Sequence, residues 1–164
     1  MDLYLIRHGI AVERGIYNND CDRHLTAKGK QRTAKVAQKL AQIDLKFDVI
    51  FTSPLIRALE TAQILKEAGL SDHLQEDLLL TPDGNLETWL MMWQKSKYNQ
   101  ETSKIALVGH QPNLGEWTEK LIWGKIKNQI IVKKAGVIGI KLPIQENPLG
   151  NSELFLLTSP KWVI

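Results

Sequence analysis

Cysteine is nearly missing from this chain. Cys21 is the only one, which excludes an internal disulfide and a cysteine-based metal cluster and suits a reducing compartment. A strong excess of one charge is missing too. The formal net charge of +3 slightly favours an anionic substrate but falls far short of the basic stripe of a nucleic-acid binder. The opening Met1-Asp2-Leu3-Tyr4 has no basic n-region, and the apolar stretch it begins is interrupted by Arg7 and His8. Neither a signal peptide nor a membrane anchor is expected, and a cytoplasmic location follows. Internal repeats, low-complexity tracts and domain-splitting linkers are also lacking, so residues 1–164 are expected to form a single domain. The 43% apolar and 24% charged composition is that of an ordinary folded protein, and the length suffices for a substantial core.

Strand-like and helix-like segments alternate, which predicts a layered α/β domain. Leu3-Tyr4-Leu5-Ile6 reads as a buried strand, followed by a polar loop from Ala11 to His24. Ala34, Ala37, Leu40 and Ala41 fall at helical spacing within a helix expected over Thr26–Ile43. Asp48–Thr52 reads as a second strand. Ser53 and Pro54 then suit the cap and first position of a helix, with a buried stripe of Leu55, Ala58, Leu59, Ala62 and Leu65 and a stop at Gly69. Gln75–Asn85 reads as irregular, and a third helix is expected over Leu86–Lys97. Lys104–Val108 is a further buried strand, and Pro112 opens a helix through Trp123. Gly136–Leu142 and Glu153–Thr158 read as two antiparallel strands joined through Asn147-Pro148-Leu149-Gly150.

Three of these strands end on chemistry. The first delivers Arg7 and His8, the second Ser53 with Arg57 one helical turn on, and the third His110. If the strands are parallel neighbours, these groups converge on the sheet edge where α/β proteins place ligands. Arginine is a permanent cation with bidentate geometry for phosphate, histidine can attack phosphorus, and Arg57 in a helical first turn adds a helix N-terminus that favours an anion. Such a set suits a dianionic phosphoryl group.

With these motifs in order, the chain resembles the histidine phosphatase superfamily, also called phosphoglycerate-mutase-like. The matching pieces are Arg7-His8-Gly9, Leu25-Thr26-Ala27-Lys28-Gly29, Thr52-Ser53-Pro54-Leu55-Ile56-Arg57-Ala58 and Val108-Gly109-His110-Gln111-Pro112. Its small size, Leu80-Thr81-Pro82-Asp83-Gly84 and the His-Gln-Pro motif are similar to the short bacterial phosphohistidine phosphatases of the SixA group. The resemblance implies a three-layer α/β/α sandwich with a mixed, mostly parallel sheet. It implies His8 as nucleophile and Arg7, Arg57 and His110 as phosphoryl-contacting catalytic residues. Arg23 matches a further phosphate contact. Neither a metal nor another cofactor is implied. The implied partner is a phosphorylated histidine phosphotransfer domain or histidine kinase, and the implied role is down-regulation of a phosphorelay; no nucleic acid or membrane is implied.

Larger relatives protonate an alkoxide leaving group with a carboxylate between the second arginine and the last histidine. Here that region offers Glu76, Asp77, Asp83 and Glu87, none in the expected glutamate context. A missing acid favours cleavage of P–N over P–O bonds. A small-molecule phosphomonoesterase and a phosphoprotein-binding module without turnover remain as alternatives. A phosphoglycerate mutase fits less well, because the chain is too short for the usual substrate-covering insertions. His24 and His73 read as surface residues and Cys21 as a bystander. Trp89 and Trp93 read as helix packing, with a pocket role open to one of them and to Trp117. Lys125, Lys127, Lys133 and Lys134 read as a solvated face able to attract an acidic phosphoprotein.

Overall fold

A computed structural model describes residues Met1–Ile164. The strands are β1 (Asp2–Arg7), β2 (Val49–Thr52), β3 (Leu74–Glu76), β4 (Lys104–Gly109), β5 (Val137–Lys141) and β6 (Glu153–Thr158). The helices are α1 (Ala27–Gln42), α2 (Ile56–Glu67), α3 (Leu86–Gln94), α4 (Asn113–Trp123) and α5 (Pro160–Val163). One sheet runs in the order β3-β2-β4-β1-β5-β6. Its first four strands are parallel, β5 adds antiparallel to β1, and β6 adds antiparallel to β5. This is the mixed, mostly parallel sheet that was expected.

Strand periodicity builds the layers. Successive side chains point to opposite faces, so Leu3 and Leu5 of β1 join Ile105 and Leu107 of β4 in one core with α3 and α4. Tyr4 and Ile6 join Ala106 and Val108 in the other, against Val36, Ala37 and Leu40 of α1 and Ala58, Ala62 and Leu65 of α2. Because both faces of β1 and β4 are covered, these strands read as continuous apolar runs.

Several boundaries differ from the sequence reading. Helix α2 begins at Ile56 with Leu55 as its N-cap, and the Ser53 Oγ accepts from the Leu55 N–H at 3.3 Å, ahead of the helix, while also meeting His110 Nε2 at 2.8 Å. Gln75–Asn85 holds the end of the edge strand β3 and a 3-10 turn at Leu78–Leu80, capped by the Asp77 side chain. Three-residue elements carry too little periodicity to be legible. Helix α3 stops at Gln94, and the short α5 is an element the sequence pattern does not predict. Thr26 caps α1 as its position suggests, its hydroxyl accepting from the Gly29 N–H at 2.9 Å.

Candidate active site

Register brings the motifs together. Arg7 of β1 is paired with Gly109 of β4, and Thr52 of β2 with Val108. His8, Ser53 and His110 therefore leave three adjacent strands at one level of the sheet. His8 and His110 line a cavity of about 440 Å³ with Arg7, Arg23, Arg57, Arg14, Lys134, Glu13 and Asp20 among its walls, while Ser53 is buried behind His110. Arg7, His8, Arg23, Arg57 and His110 are thus all brought to one place.

His8 is 6% exposed, and its Nδ1 lies 2.8 Å from the Gly9 carbonyl. A carbonyl only accepts, so Nδ1 carries the proton and the Nε2 lone pair is free. Burial, then the charges of His110, Arg57 and Arg7, push its pKa down to about 2, so the ring is neutral. The two imidazoles lie 5.2 Å apart, centre to centre. His110 Nε2 is 2.8 Å from Ser53 Oγ. Burial and the neighbouring Arg57 push the His110 pKa down to about 4, so it too is neutral.

The arginines are held from behind and offer nitrogens to the cavity. Arg7 Nη1 donates to the Val132 carbonyl at 2.7 Å, and Arg23 Nη1 donates to the Val12 carbonyl at 3.0 Å. The Nε–H groups of Arg7 and Arg57 are buried without an acceptor. Unpaired buried guanidinium donors in a cleft are a costly arrangement unless an anion meets them. The strap carrying Val132 is itself anchored by Glu119. This fully buried carboxylate accepts from the backbone N–H groups of Lys127, Asn128, Gln129 and Ile130 at 2.5–2.8 Å.

Asp20 is the residue that sequence reasoning missed. It lies in the short 3-10 turn Asp20–Asp22 of the loop after β1. Its carboxylate accepts from Arg57 Nη2 at 2.9 Å, and its carbonyl accepts from Nη1 at 2.8 Å. Arg23 Nε lies 2.9 Å away as an ion pair rather than an aligned hydrogen bond, and Arg14 approaches at 3.6 Å. Burial works to raise the Asp20 pKa, but Arg57, Arg23 and Arg14 together hold it below the usual value. Asp20 is thus an internal anion among the arginines of the cavity. The signal available was its position three residues before Arg23, a spacing that lets the two side chains meet.

The other acids lie elsewhere. Asp77 accepts from the Leu79 N–H and Glu87 pairs with Lys120 at 2.7 Å. Glu76 and Asp83 are exposed, and none of these four lines the cavity. The carboxylates that do line it, Glu13 and Asp20, come from the loop after β1. Trp89, Trp93 and Trp117 are core residues at 3–4% exposure and do not reach the cavity rim. Lys134 corrects the reading of a purely solvated face. It lines the cavity, and partial burial together with Arg7 and Arg23 lowers its pKa. His24 meets Glu60 at 3.1 Å, while His73 and Cys21 are exposed.

Comparison with known proteins agrees with this fold. A family profile described as the histidine phosphatase superfamily (branch 1) matches residues 3–87. That span holds Arg7, His8, Arg23 and Arg57 but ends before His110, whose place rests on the sheet register. An uncharacterized protein of Picosynechococcus sp. is 46% identical over 170 residues, covering 100% of this chain and 99% of that one. The structure of the protein histidine phosphatase SixA complexed with tungstate is similar in fold. It has a TM-score of 0.86 at 21% identity, with 100% of both chains covered. A phosphoserine phosphatase variant of Entamoeba histolytica in complex with phosphoserine gives 0.71 at 18% identity, with 99% of both chains covered.

Proposed function

The chain belongs to the histidine phosphatase superfamily, and on that premise we propose that it hydrolyses protein phosphohistidine through a covalent phosphohistidine at His8. The donor is a phosphorylated histidine phosphotransfer domain or histidine kinase, which makes the protein a negative regulator of a phosphorelay in the cytoplasm. The observation that carries the substrate choice is that no carboxylate between Arg57 and His110 reaches the cavity.

The chemistry follows from the residues. Nε2 of His8 attacks phosphorus while Arg7, Arg57 and Arg23 hold the phosphoryl oxygens and His110 donates to one of them. The bond from phosphorus to the substrate ring nitrogen breaks. With the distal nitrogen of that ring protonated, the substrate imidazole leaves neutral and needs no acid from the protein. Phospho-His8 keeps its proton on Nδ1, so its ring is cationic and is a good leaving group in turn. Water then attacks phosphorus, releasing phosphate and restoring the neutral imidazole. An alkoxide leaving group would need the proton that the residues from Glu76 to Glu87 are not placed to give.

The test is incubation with a radiolabelled phosphorylated phosphotransfer domain and, separately, with a simple phosphate ester. The wild type should form an acid-labile phosphoenzyme and clear the phosphoprotein, and His8→Ala should do neither. Faster turnover of the ester than of the phosphoprotein would overturn the substrate assignment. Unchanged activity in His8→Ala would overturn the mechanism.

A further inference from the structure

We propose that Thr61 is a positioning residue that fixes the tautomer of His8 through the backbone of Gly9, and that it ties the nucleophile to Arg57 through one hydroxyl; this rests on the reading of His8 as nucleophile. Thr61 lies in α2 one turn after Arg57 and is fully buried. Its Oγ1 donates to the Arg57 carbonyl at 2.7 Å and accepts from the Gly9 N–H at 3.0 Å. The first bond is the local back-bond of a helical threonine. It commits the hydroxyl proton and leaves only acceptor capacity toward Gly9. The carbonyl of the same Gly9 residue takes the Nδ1 proton of His8 at 2.8 Å.

The opposite side of this turn is closed as well. A Cβ on Gly9 would lie 2.5 Å from Thr33 Oγ1, and one on Gly29 would lie 2.0 Å from the Ile10 carbonyl oxygen. The Gly9-Ile10 backbone is therefore pinched between α1 and α2, and Thr61 supplies the one polar tie on the α2 side. The consequence is chemical. The proton held on Nδ1 leaves the Nε2 lone pair available for attack, and the same proton makes phospho-His8 a good leaving group. A Gly9 carbonyl free to rotate would let the proton move to Nε2 and occupy the attacking lone pair.

The experiment compares Thr61→Val, which keeps shape and removes the hydroxyl, with Thr61→Ser, which restores it. Two readouts are taken: the nitrogen-15 chemical shifts of the His8 ring and the rate of phosphoenzyme formation from the labelled phosphoprotein. Thr61→Val should show averaging between ring tautomers and form phosphoenzyme about tenfold more slowly, the loss of one ordinary hydrogen bond. Thr61→Ser should restore a single Nδ1–H tautomer and most of the rate. Thr61→Ala, measured the same way, replaces Thr61→Val should the latter not fold. A Thr61→Val rate and ring shifts matching the wild type would overturn the proposal, as would a Thr61→Ser variant as impaired as Thr61→Val. The ring shifts need no turnover, so a wild type without phosphoenzyme would retire the proposed function while leaving the tautomer result to judge Thr61 alone.

Discussion

Replacing Asp20 with asparagine should make the protein bind an oxyanion more tightly. The Asp20 carboxylate accepts from Arg57 and pairs with Arg23, two of the cations that the proposed mechanism assigns to the phosphoryl group, so the two anions are expected to compete for the same donors. A charge-assisted hydrogen bond of this kind is worth about 1.5–3 kcal/mol when buried. The Asp20 side chain is 44% exposed, and solvent screening reduces that to about 1–2 kcal/mol. Asp20→Asn should therefore lower the Kd for tungstate by roughly five- to thirtyfold, read by titration calorimetry at fixed ionic strength. Glu13→Gln removes another carboxylate of the cavity wall, one without an ion pair to an arginine, and should change Kd by less than about threefold. Tungstate binding that is unchanged or weaker in Asp20→Asn would refute the competition and would make Asp20 a supporting part of the site.

Three further predictions test the histidines and the supports of the site. His8 and His110 are buried neutral, with pKa values pushed down to about 2 and about 4. Below the unfolded-state value near 6.5, the unfolded chain therefore binds protons that the native chain refuses. Stability falls with pH through this window, with the His110 contribution reaching about 3 kcal/mol by pH 4; thermal midpoints should drop between pH 7 and 5, and His110→Gln should flatten that slope. A bound oxyanion favours protonated His110, so tungstate binding near pH 6 should take up protons, seen as buffer-dependent binding heats; no dependence on buffer would count against the His110 assignment. Glu119→Gln replaces an acceptor of four backbone N–H bonds with a group that can satisfy fewer, and should cost about 3 kcal/mol in urea unfolding. It should also weaken tungstate binding through the Val132 strap that holds Arg7, and a loss of stability without that weakening would separate the strap from the site.

Much of this arrangement was legible in the chain because its strands are buried on both faces. Leu3–Ile6 and Ile105–Val108 announce themselves as apolar runs, and the residues that end them must emerge at the sheet edge. The short elements were not legible. β3 and the turn at Leu78–Leu80 span three residues each, and Ser53 suited a cap equally well whether or not His110 claimed its hydroxyl.

The sequence by itself determined which groups reach the cavity from the strands: Arg7 ends β1, His8 and His110 follow β1 and β4 directly, and Arg57 lies in the first turn of the helix after β2. Strand order and register, which depend on pairings distant in sequence, decided that these ends are neighbours. Tertiary structure alone revealed Asp20 against Arg57, Thr61 behind Gly9 and Glu119 beneath the strap holding Arg7. Each of the three acts through a contact with a partner on another segment, and local periodicity carries no record of such a partner.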